Sequence, residues 1–382
     1  MSADKQMERD QHFMRQVLDL ALKAHGRTSP NPLVGALVVA DDRIIGQGYH
    51  RRAGEDHAEI AALRDAGDQT TGATLYTNLE PCCHQGRTPA CVDSIIPAGI
   101  KRVVIAHADP DPRVDCGGIK RLRDAGIEVV EGVLETEARQ LNAAYLKYVT
   151  QSLPYVTVKM AMSLDGKIAT TTGESKWITC DESRHHVHEL RNQTDAILVG
   201  IGTVLADDPQ LNVRIEVPDI RHPQKIIVDS KARVPNRCRT ITREPRTIVA
   251  VAPKASPSRI SALQEVGAHV EVVEGSSVKV DVTRLMYRLA ELEIMNLLVE
   301  GGGGVAASLF EAGLVDRVVC FISPMIIGGA TAPSPVGGSG VLRLDEAHYL
   351  KEVTYEPSGR DLMISGLIDH EGALAEGLTF AE

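Results

Sequence analysis

Nowhere in the 382-residue chain do apolar residues run uninterrupted for the roughly 18–20 positions that a membrane-spanning helix needs. The opening stretch, MSADKQMERDQHFMRQ, has no apolar segment of the secretory kind, so no signal peptide is expected. Positive charge is also short. Lys and Arg number 41 against 51 Asp and Glu, which leaves a net charge of −10 and a pI near 5.7. That argues against a general binder of nucleic acid or of membrane surfaces, both of which call for a basic face. There is no internal repeat and no low-complexity tract, and tryptophan occurs once, as Trp177. The expectation is a globular protein located in the cytoplasm. In that compartment seven cysteines, an odd number, are expected as reduced thiols, metal ligands or nucleophiles rather than a disulfide framework.

The chain is too long for one ordinary domain, and two are expected. Up to about residue 150, helical and strand patterns alternate. HFMRQVLDLALKA has helical spacing, LVGALVVA and RIIGQGYH read as strands around an Asp41–Asp42 turn, and ATLYTNLE, RVVIAHAD and IEVV follow as strands with helices between. This order predicts a mixed α/β sheet with helices on both faces. A single helix over EARQLNAAYLKYV leads to Pro154, which places a boundary at about 150–154 and divides the chain into 1–150 and 151–382. The second part repeats strand and helix from YVTVKMAMS to DRVVCFIS, with DLMISGLI as a late strand, and predicts a doubly wound α/β domain.

In the first domain, His57-Ala58-Glu59 opens a helix that Asp56 is placed to cap. A strand further on ends in Glu80-Pro81-Cys82, and Cys91 follows after eight intervening residues. Zinc favours thiolate and imidazole ligands, and a catalytic zinc keeps three protein ligands and one open position. His57, Cys82 and Cys91 meet that count. Such a metal lowers the pKa of water until hydroxide exists near neutral pH, and Glu59 sits where a non-ligand carboxylate could shuttle its proton. Nucleobase deaminases use this logic with H-x-E and P-C-x-x-C. Here the two cysteines stand farther apart, so CHQGRTPA should project into the pocket and recognise something larger than a bare base.

These residues resemble the deaminase domain of the bifunctional riboflavin-biosynthesis deaminase/reductase family, which carries H-A-E and then E-P-C-x-H-x-G-x-T-P-x-C. The resemblance implies a cytidine-deaminase-like, three-layer N-terminal domain. It makes His57, Cys82 and Cys91 the ligands of one zinc and Glu59 the proton shuttle, with Cys83 on a variable position. SPNPLVGALVV with Asn31 and GYHRRAGEDHAE with His50 extend the match. Asn31, His50, His84 and Arg87 are candidate substrate contacts. The chain departs from the family at Asp111, where Asn is usual, and at Cys116–Gly117, where Gly–Lys is common. The implied substrate is 2,5-diamino-6-ribosylamino-4(3H)-pyrimidinone 5′-phosphate, deaminated by zinc-hydroxide.

The second domain has no metal motif. NLLVEGGGGVAASLF runs a strand into four glycines and a helix, an arrangement suited to phosphate binding through unpaired N–H groups, although it does not fit G-x-G-x-x-G. SLDGKIA, WIT, DAILVGIGTVLADDPQLNVR, VEGG and SPMIIGG resemble the reductase domain of the same family, which is similar to dihydrofolate reductase in fold. The resemblance thins beyond residue 330. It implies NADPH against Ala161, Trp177, Thr203, Asp207 and Gly301, Gly302, Gly303 and Gly304, and Ser230, at the end of the strand QKIIVDS, is a further candidate cofactor contact. It sets Ser175, Arg191, Leu211, Arg214 and Glu300 against the substrate, with the two arginines suited to its phosphate. The product would be 5-amino-6-(5-phosphoribitylamino)uracil. His185, His186 and His188 read as a helix face rather than a metal cluster.

The implied partner is a small phosphorylated pyrimidine, with neither nucleic acid nor membrane, and a homo-oligomer is compatible with the sequence. Two other readings compete. One is a nucleoside or tRNA deaminase with an appended nucleotide-binding domain. The other is a structural zinc module, which would require Cys83 or His84 as a fourth ligand.

Overall fold

A computed structural model describes residues 2–83, 89–111, 117–275 and 277–370. His84 and Arg87, two of the expected substrate contacts, lie outside the described residues. The chain separates into two compact units, Met1–Leu153 and Pro154–Glu382.

The N-terminal unit begins with helix α1 (Ala3–Leu22), capped by the Ser2 hydroxyl, which accepts from Lys5 N at 3.4 Å. Strands β1 (Gly35–Ala40) and β2 (Arg43–Tyr49) pair antiparallel through the Asp41–Asp42 turn, where both residues take positive φ. Then come α2 (Ala58–Ala66), β3 (Thr74–Leu79), α3 (Val92–Ile95), β4 (Arg102–His107), α4 (Gly118–Asp124), β5 (Glu128–Val130), α5 (Glu135–Leu141) and α6 (Ala143–Gln151). The sheet order is β2-β1-β3-β4-β5, with β3, β4 and β5 parallel.

Two glycines show why this unit has three layers. A Cβ on Gly35 would lie 2.2 Å from the Val17 carbonyl of α1, whereas one on Gly48 would lie 2.5 Å from the Ala58 carbonyl of α2. Gly48 pairs with Ala36, the next residue along from Gly35, and neighbours on a strand face opposite ways. Helices α1 and α2 therefore cover opposite faces of the sheet. On the α1 side, Phe13, Met14 and Val17 pack with Leu37, Val39, Tyr76 and Val104. Burying each large apolar side chain contributes roughly 1.5–3 kcal/mol.

The expected helix over residues 137–149 is interrupted. Asn142 separates α5 from α6 because its side chain serves the Leu33 backbone instead, accepting from Leu33 N at 2.8 Å and donating to Leu33 O at 2.9 Å. A tertiary bond between residues so distant in sequence leaves no periodic trace.

The C-terminal unit contains β6 (Tyr155–Ser163), α7 (Asp181–Asn192), β7 (Ala196–Gly200), α8 (Ile201–Asp207), β8 (Gln224–Val228), β9 (Ile248–Val251), α9 (Pro257–Glu265), β10 (His269–Val272), α10 (Val282–Glu291), β11 (Asn296–Val299), α11 (Gly303–Glu311), β12 (Arg317–Ser323), β13 (Leu350–Ser358) and β14 (Asp361–Ile368). They form one sheet in the order β10-β9-β8-β7-β11-β6-β12-β14-β13, parallel from β10 to β12. In β7 and β8 consecutive residues are wholly buried (Ile197 with Leu198, Ile226 with Ile227), so both faces of the sheet are covered, as a doubly wound domain requires.

Strand β13 was not foreseen. It is an edge strand with mostly exposed or half-buried residues, so it carries no apolar alternation. The hairpin it forms with β14 has a defined anchor. At its tip, the Asp361 carboxylate accepts from Cys180 N and from Ser183 Oγ, both at 2.7 Å, at the first turn of α7. Among the described residues, no helix is long and apolar enough to cross a membrane.

Candidate active sites

In the N-terminal unit three chain segments converge where β3 ends. His57 occupies the N-cap position of α2, Cys82 lies just beyond β3, and Cys91 precedes α3. His57 Nδ1 is 3.2 Å from Cys91 Sγ and 3.4 Å from Cys82 Sγ, and the two sulfurs are 3.5 Å apart. Usual zinc bond lengths in a tetrahedron would put ligand atoms about 3.6–3.8 Å apart, so the donor set fits zinc to within a few tenths of an ångström. Among the described residues this is the one His, Cys, Asp or Glu cluster of metal-binding geometry. Asp56 does not cap α2. Its carboxylate pairs instead with Arg64 at 2.6 Å, and α2 has no side-chain cap.

The electrostatics favour one thiolate in the cluster, that of Cys82. A hydrogen bond from Cys91, then one from His57, pulls the Cys82 thiol down to about 4, against burial. Cys91 N also donates to Cys82 Sγ at 3.3 Å. The bond to Cys82 and burial push Cys91 up, while His57 is raised chiefly by its bond to Cys82. Glu59 is 3% exposed, and burial pushes its carboxyl up to about 7, with the His57 charge opposing and the Cys82 charge adding. A carboxyl poised there can hold or release a proton near neutrality.

Asn31 and His50 form a second tier. His50 Nδ1 donates to the Asp56 carbonyl at 3.0 Å, which leaves Nε2 to accept from Asn31 Nδ2 at 3.0 Å. Burial lowers the His50 pKa, and its ring stands edge-on to His57 with centroids 5.4 Å apart. Cys83 is disulfide-bonded, contrary to the expectation of reduced thiols throughout. A sulfur committed to a disulfide is no fourth ligand, so the closed structural site loses that candidate. Cys82, Cys91, Cys180, Cys238 and Cys320 are free.

In the C-terminal unit the expected residues gather at the carboxyl ends of four adjacent parallel strands, β6, β11, β7 and β8, the usual ligand position in such sheets. After β11, Gly301 and Gly302 take φ of 127° and 87°, which only glycine adopts readily. Gly301 O accepts from Gly200 N, and a Cβ on Gly301 would come within 3.3 Å of Thr203 Oγ1. The turn is roofed on another side, since Gly337 N donates to Gly303 O at 2.9 Å. Helix α11 begins at Gly303, beside Gly304. Asp207 ends α8 and accepts from Ser175 Oγ at 3.0 Å, which joins one expected cofactor residue to one expected substrate residue. Trp177 is exposed, with the Arg184 guanidinium 4.5 Å over its ring. The Ser230 hydroxyl accepts from Val280 N at 3.1 Å.

Arg191 and Glu300 are bound to each other. The guanidinium donates to both carboxylate oxygens, at 2.5 and 2.7 Å, and to Asn212 O at 3.1 Å. Arg214, by contrast, is exposed, and its guanidinium donates to Asn212 Oδ1 at 2.7 Å. Leu211 is buried in the apolar cluster with Val204 and Ile227, so it presents little surface to a ligand.

One residue here escaped the sequence reading. Lys159 lies two positions before Ala161 on β6, hence on the same face. Burial lowers its pKa, while the Glu300 charge raises it. A lysine inside the apolar run YVTVKMAMS was the available signal. His188, read from the sequence only as part of a helix face, accepts at Nδ1 from Arg214 N at 3.2 Å; burial and the neighbouring arginines pull its pKa down to about 4. His186 bonds to Ser358 Oγ at 3.0 Å and His185 faces Glu189, so the three histidines serve three different partners.

Residues 7–107 match the family model for the cytidine and deoxycytidylate deaminase zinc-binding region, and residues 154–364 match that for the RibD C-terminal domain. A riboflavin biosynthesis protein RibD from Aquifex aeolicus is 44% identical over 94% of this chain and 98% of its own length. The Escherichia coli protein of that name is 40% identical over 84% and 89%. A solved RibD structure from Acinetobacter baumannii, 33% identical, superposes with a TM-score of 0.86 over 95% of this chain and all of that one. The diaminohydroxyphosphoribosylaminopyrimidine deaminase/5-amino-6-(5-phosphoribosylamino)uracil reductase from Thermotoga maritima, 36% identical, gives 0.80 over 95% and 99%.

Proposed function

Because the chain belongs to the RibD family of riboflavin biosynthesis proteins, we propose that its two units carry out two consecutive reactions on one phosphorylated pyrimidine. The N-terminal unit hydrolytically removes an amino group from 2,5-diamino-6-ribosylamino-4(3H)-pyrimidinone 5′-phosphate. The C-terminal unit reduces the ribosyl group of the product with NADPH, giving 5-amino-6-(5-phosphoribitylamino)uracil. The rival of a nucleoside or tRNA deaminase with an unrelated appended domain is disfavoured, because relatives match both units in one chain. The single observation that carries the proposal is the His57, Cys82 and Cys91 cluster with Glu59 buried beside it.

For deamination, His57, Cys82 and Cys91 hold zinc, which when bound makes water acidic enough to serve as a nucleophile near neutral pH. Glu59 takes a proton from the water side and delivers one to the departing amino group, so that ammonia leaves. Asn31 and His50, the latter with its tautomer set by the Asp56 carbonyl, line the approach to the ring.

For reduction, NADPH supplies the hydride, and the protein supplies position and electrostatics. Gly301–Gly304, Thr203, Asp207, Ala161, Trp177 and Ser230 form the cofactor side, where the tight Gly turn and the start of α11 receive phosphate. Arg214, exposed and without a carboxylate partner among the described residues, is better suited to the substrate phosphate than Arg191, whose charge Glu300 already meets. Ser175 and the Glu300 carboxylate face the sugar, with Lys159 close enough to feel the Glu300 charge. The reaction is cytoplasmic and involves neither nucleic acid nor membrane.

The test is to incubate the purified zinc-replete protein with the diaminopyrimidine ribotide, with and without NADPH. Ammonia release without NADPH, followed by NADPH oxidation when it is added, is the expected result. Absence of ammonia would overturn the proposal.

A further inference from the structure

Helix α4 carries none of the expected ligands, yet it grips the ligand-bearing chain on both sides of Cys82. Two residues before Cys82, the Glu80 carboxylate accepts from Ile119 N at 2.9 Å through one oxygen and from Asp109 N at 3.2 Å through the other. One residue before it, the Pro81 carbonyl lies so close to Gly118 that a Cβ there would approach within 2.0 Å. One residue after it, the Cys83 carbonyl accepts from Arg121 Nη1 at 3.2 Å. The other arm of the same guanidinium, Nη2, donates to Asp93 Oδ1 at 2.6 Å. Asp93 lies in α3, two residues past Cys91.

Arg121 thus bridges the two segments that carry the two thiols. We propose that α4, through Arg121 to Cys83 and Asp93 and through the Gly118–Pro81 contact, is the splint that sets the Cys82-to-Cys91 geometry for the metal. Arg121 is then a positioning residue of the deamination site. The inference rests on the zinc reading above.

The physical grounds are these. A metal held by three protein ligands gains affinity from their pre-organisation, and partners outside the ligand set commonly change it by about 10–100-fold. Inside the site, Cys82 is tied to the far segment by Val92 N to Cys82 O at 3.2 Å and by Cys91 N to Cys82 Sγ at 3.3 Å. Those bonds join the two segments next to the ligand atoms, and Arg121 joins the same two segments farther out, while Glu80 N, donating to His107 O of β4 at 3.1 Å, ties the Cys82 segment to the sheet. Arg121 and Asp93 are both substantially exposed, so their ion pair contributes little to folding. A role in stability alone therefore predicts almost no effect of removing it, and a positioning role predicts a selective one.

The experiment uses the full-length protein with Arg121→Met, which keeps the aliphatic stem and removes both donors, and Asp93→Ala, which cuts the same bridge from the Cys91 side. Zinc affinity is read by competition with a chromophoric chelator, and ligand geometry by the visible absorption of the cobalt-substituted protein. Each variant should weaken zinc by about tenfold and shift the cobalt bands. The double variant should be no worse than the more affected single one, because both cut one bridge. Reduction of supplied deaminated intermediate should stay within about twofold of the parent, and the melting temperature within about 2 °C. Gly118→Ala should have the larger effect on zinc.

Zinc affinity within twofold of the parent in both Arg121→Met and Asp93→Ala, with unchanged cobalt bands, would overturn the inference while leaving the zinc site intact. A parent protein that binds no zinc would instead overturn the metal reading, and the splint with it.

Discussion

In the N-terminal unit the proposed chemistry sits on three short segments, His57 with Glu59, Cys82, and Cys91, and the imidazole nitrogen and two sulfurs come within 3.5 Å of one another. In the C-terminal unit the groups are spread from Lys159 to Gly304, over the ends of four strands, and several are already paired with each other: Arg191 with Glu300, Ser175 with Asp207. The difference follows from what is bound. A metal ion demands a few strong donors at fixed distances, so loss of one donor dismantles the site. A dinucleotide and a sugar phosphate are held by many weaker contacts, so single losses should be graded.

The largest expected effect is that of Cys82→Ser. It should abolish zinc binding and ammonia release, while reduction of supplied deaminated intermediate continues at the parental rate. Metal analysis alongside the two assays checks this, and retention of zinc would break the comparison. Next is Arg214→Ala, which removes the exposed charge assigned to the phosphate. The KM of the reductase for its phosphorylated substrate should rise by about 10–100-fold with a smaller change in kcat. The same change at Arg191 should lower kcat as well, because it leaves the Glu300 carboxylate buried and unpaired.

Gly302→Ala should be milder. Its φ of 87° costs a non-glycine residue roughly 1–2 kcal/mol, so the KM for NADPH should rise by about tenfold with deamination untouched.

The smallest effects on the two sites are a pH dependence and the loss of the Cys83 sulfur. His188 has its folded pKa pulled down to about 4, below the ordinary value of about 6.5. As pH falls below 6.5 the unfolded chain takes the proton first, so the C-terminal unit should lose stability between pH 6.5 and 4 and be unaffected above. His188→Gln should flatten that slope in thermal melts, modestly, since the ring is not fully shielded from solvent. Cys83→Ser removes a sulfur that is in a disulfide and outside the ligand set, so zinc should be retained.

The same contrast explains what could be read from sequence. The metal site was legible because H-A-E and E-P-C place ligand types in fixed local order, and a helix start and a strand end carry them to one point. The arginine–glutamate pair was not, because Arg191 and Glu300 are separated by more than a hundred residues and nothing local marks them as partners. Both were expected to face substrate, but their mutual pairing singles out Arg214 as the better phosphate ligand.

Most strands of both sheets were visible as apolar runs. Strand β13 was not, being an exposed edge, and neither was the interruption at Asn142, which a distant backbone segment imposes. Asp56 looked like a helix cap because Asp commonly caps, yet Arg64 claims its carboxylate. Disulfide bonding of Cys83 runs against the expectation of reduced thiols, which rested on an expected compartment and not on any feature of the residues around it.

The central claim is that two independent sites share one chain, and Glu59→Gln tests it most directly. The substitution keeps side-chain size and leaves all three zinc ligands in place. The account predicts full zinc content, ammonia release reduced by about a thousandfold or more, and NADPH-dependent reduction of supplied deaminated intermediate at the parental rate. Loss of both activities together in a zinc-replete, folded variant would contradict it.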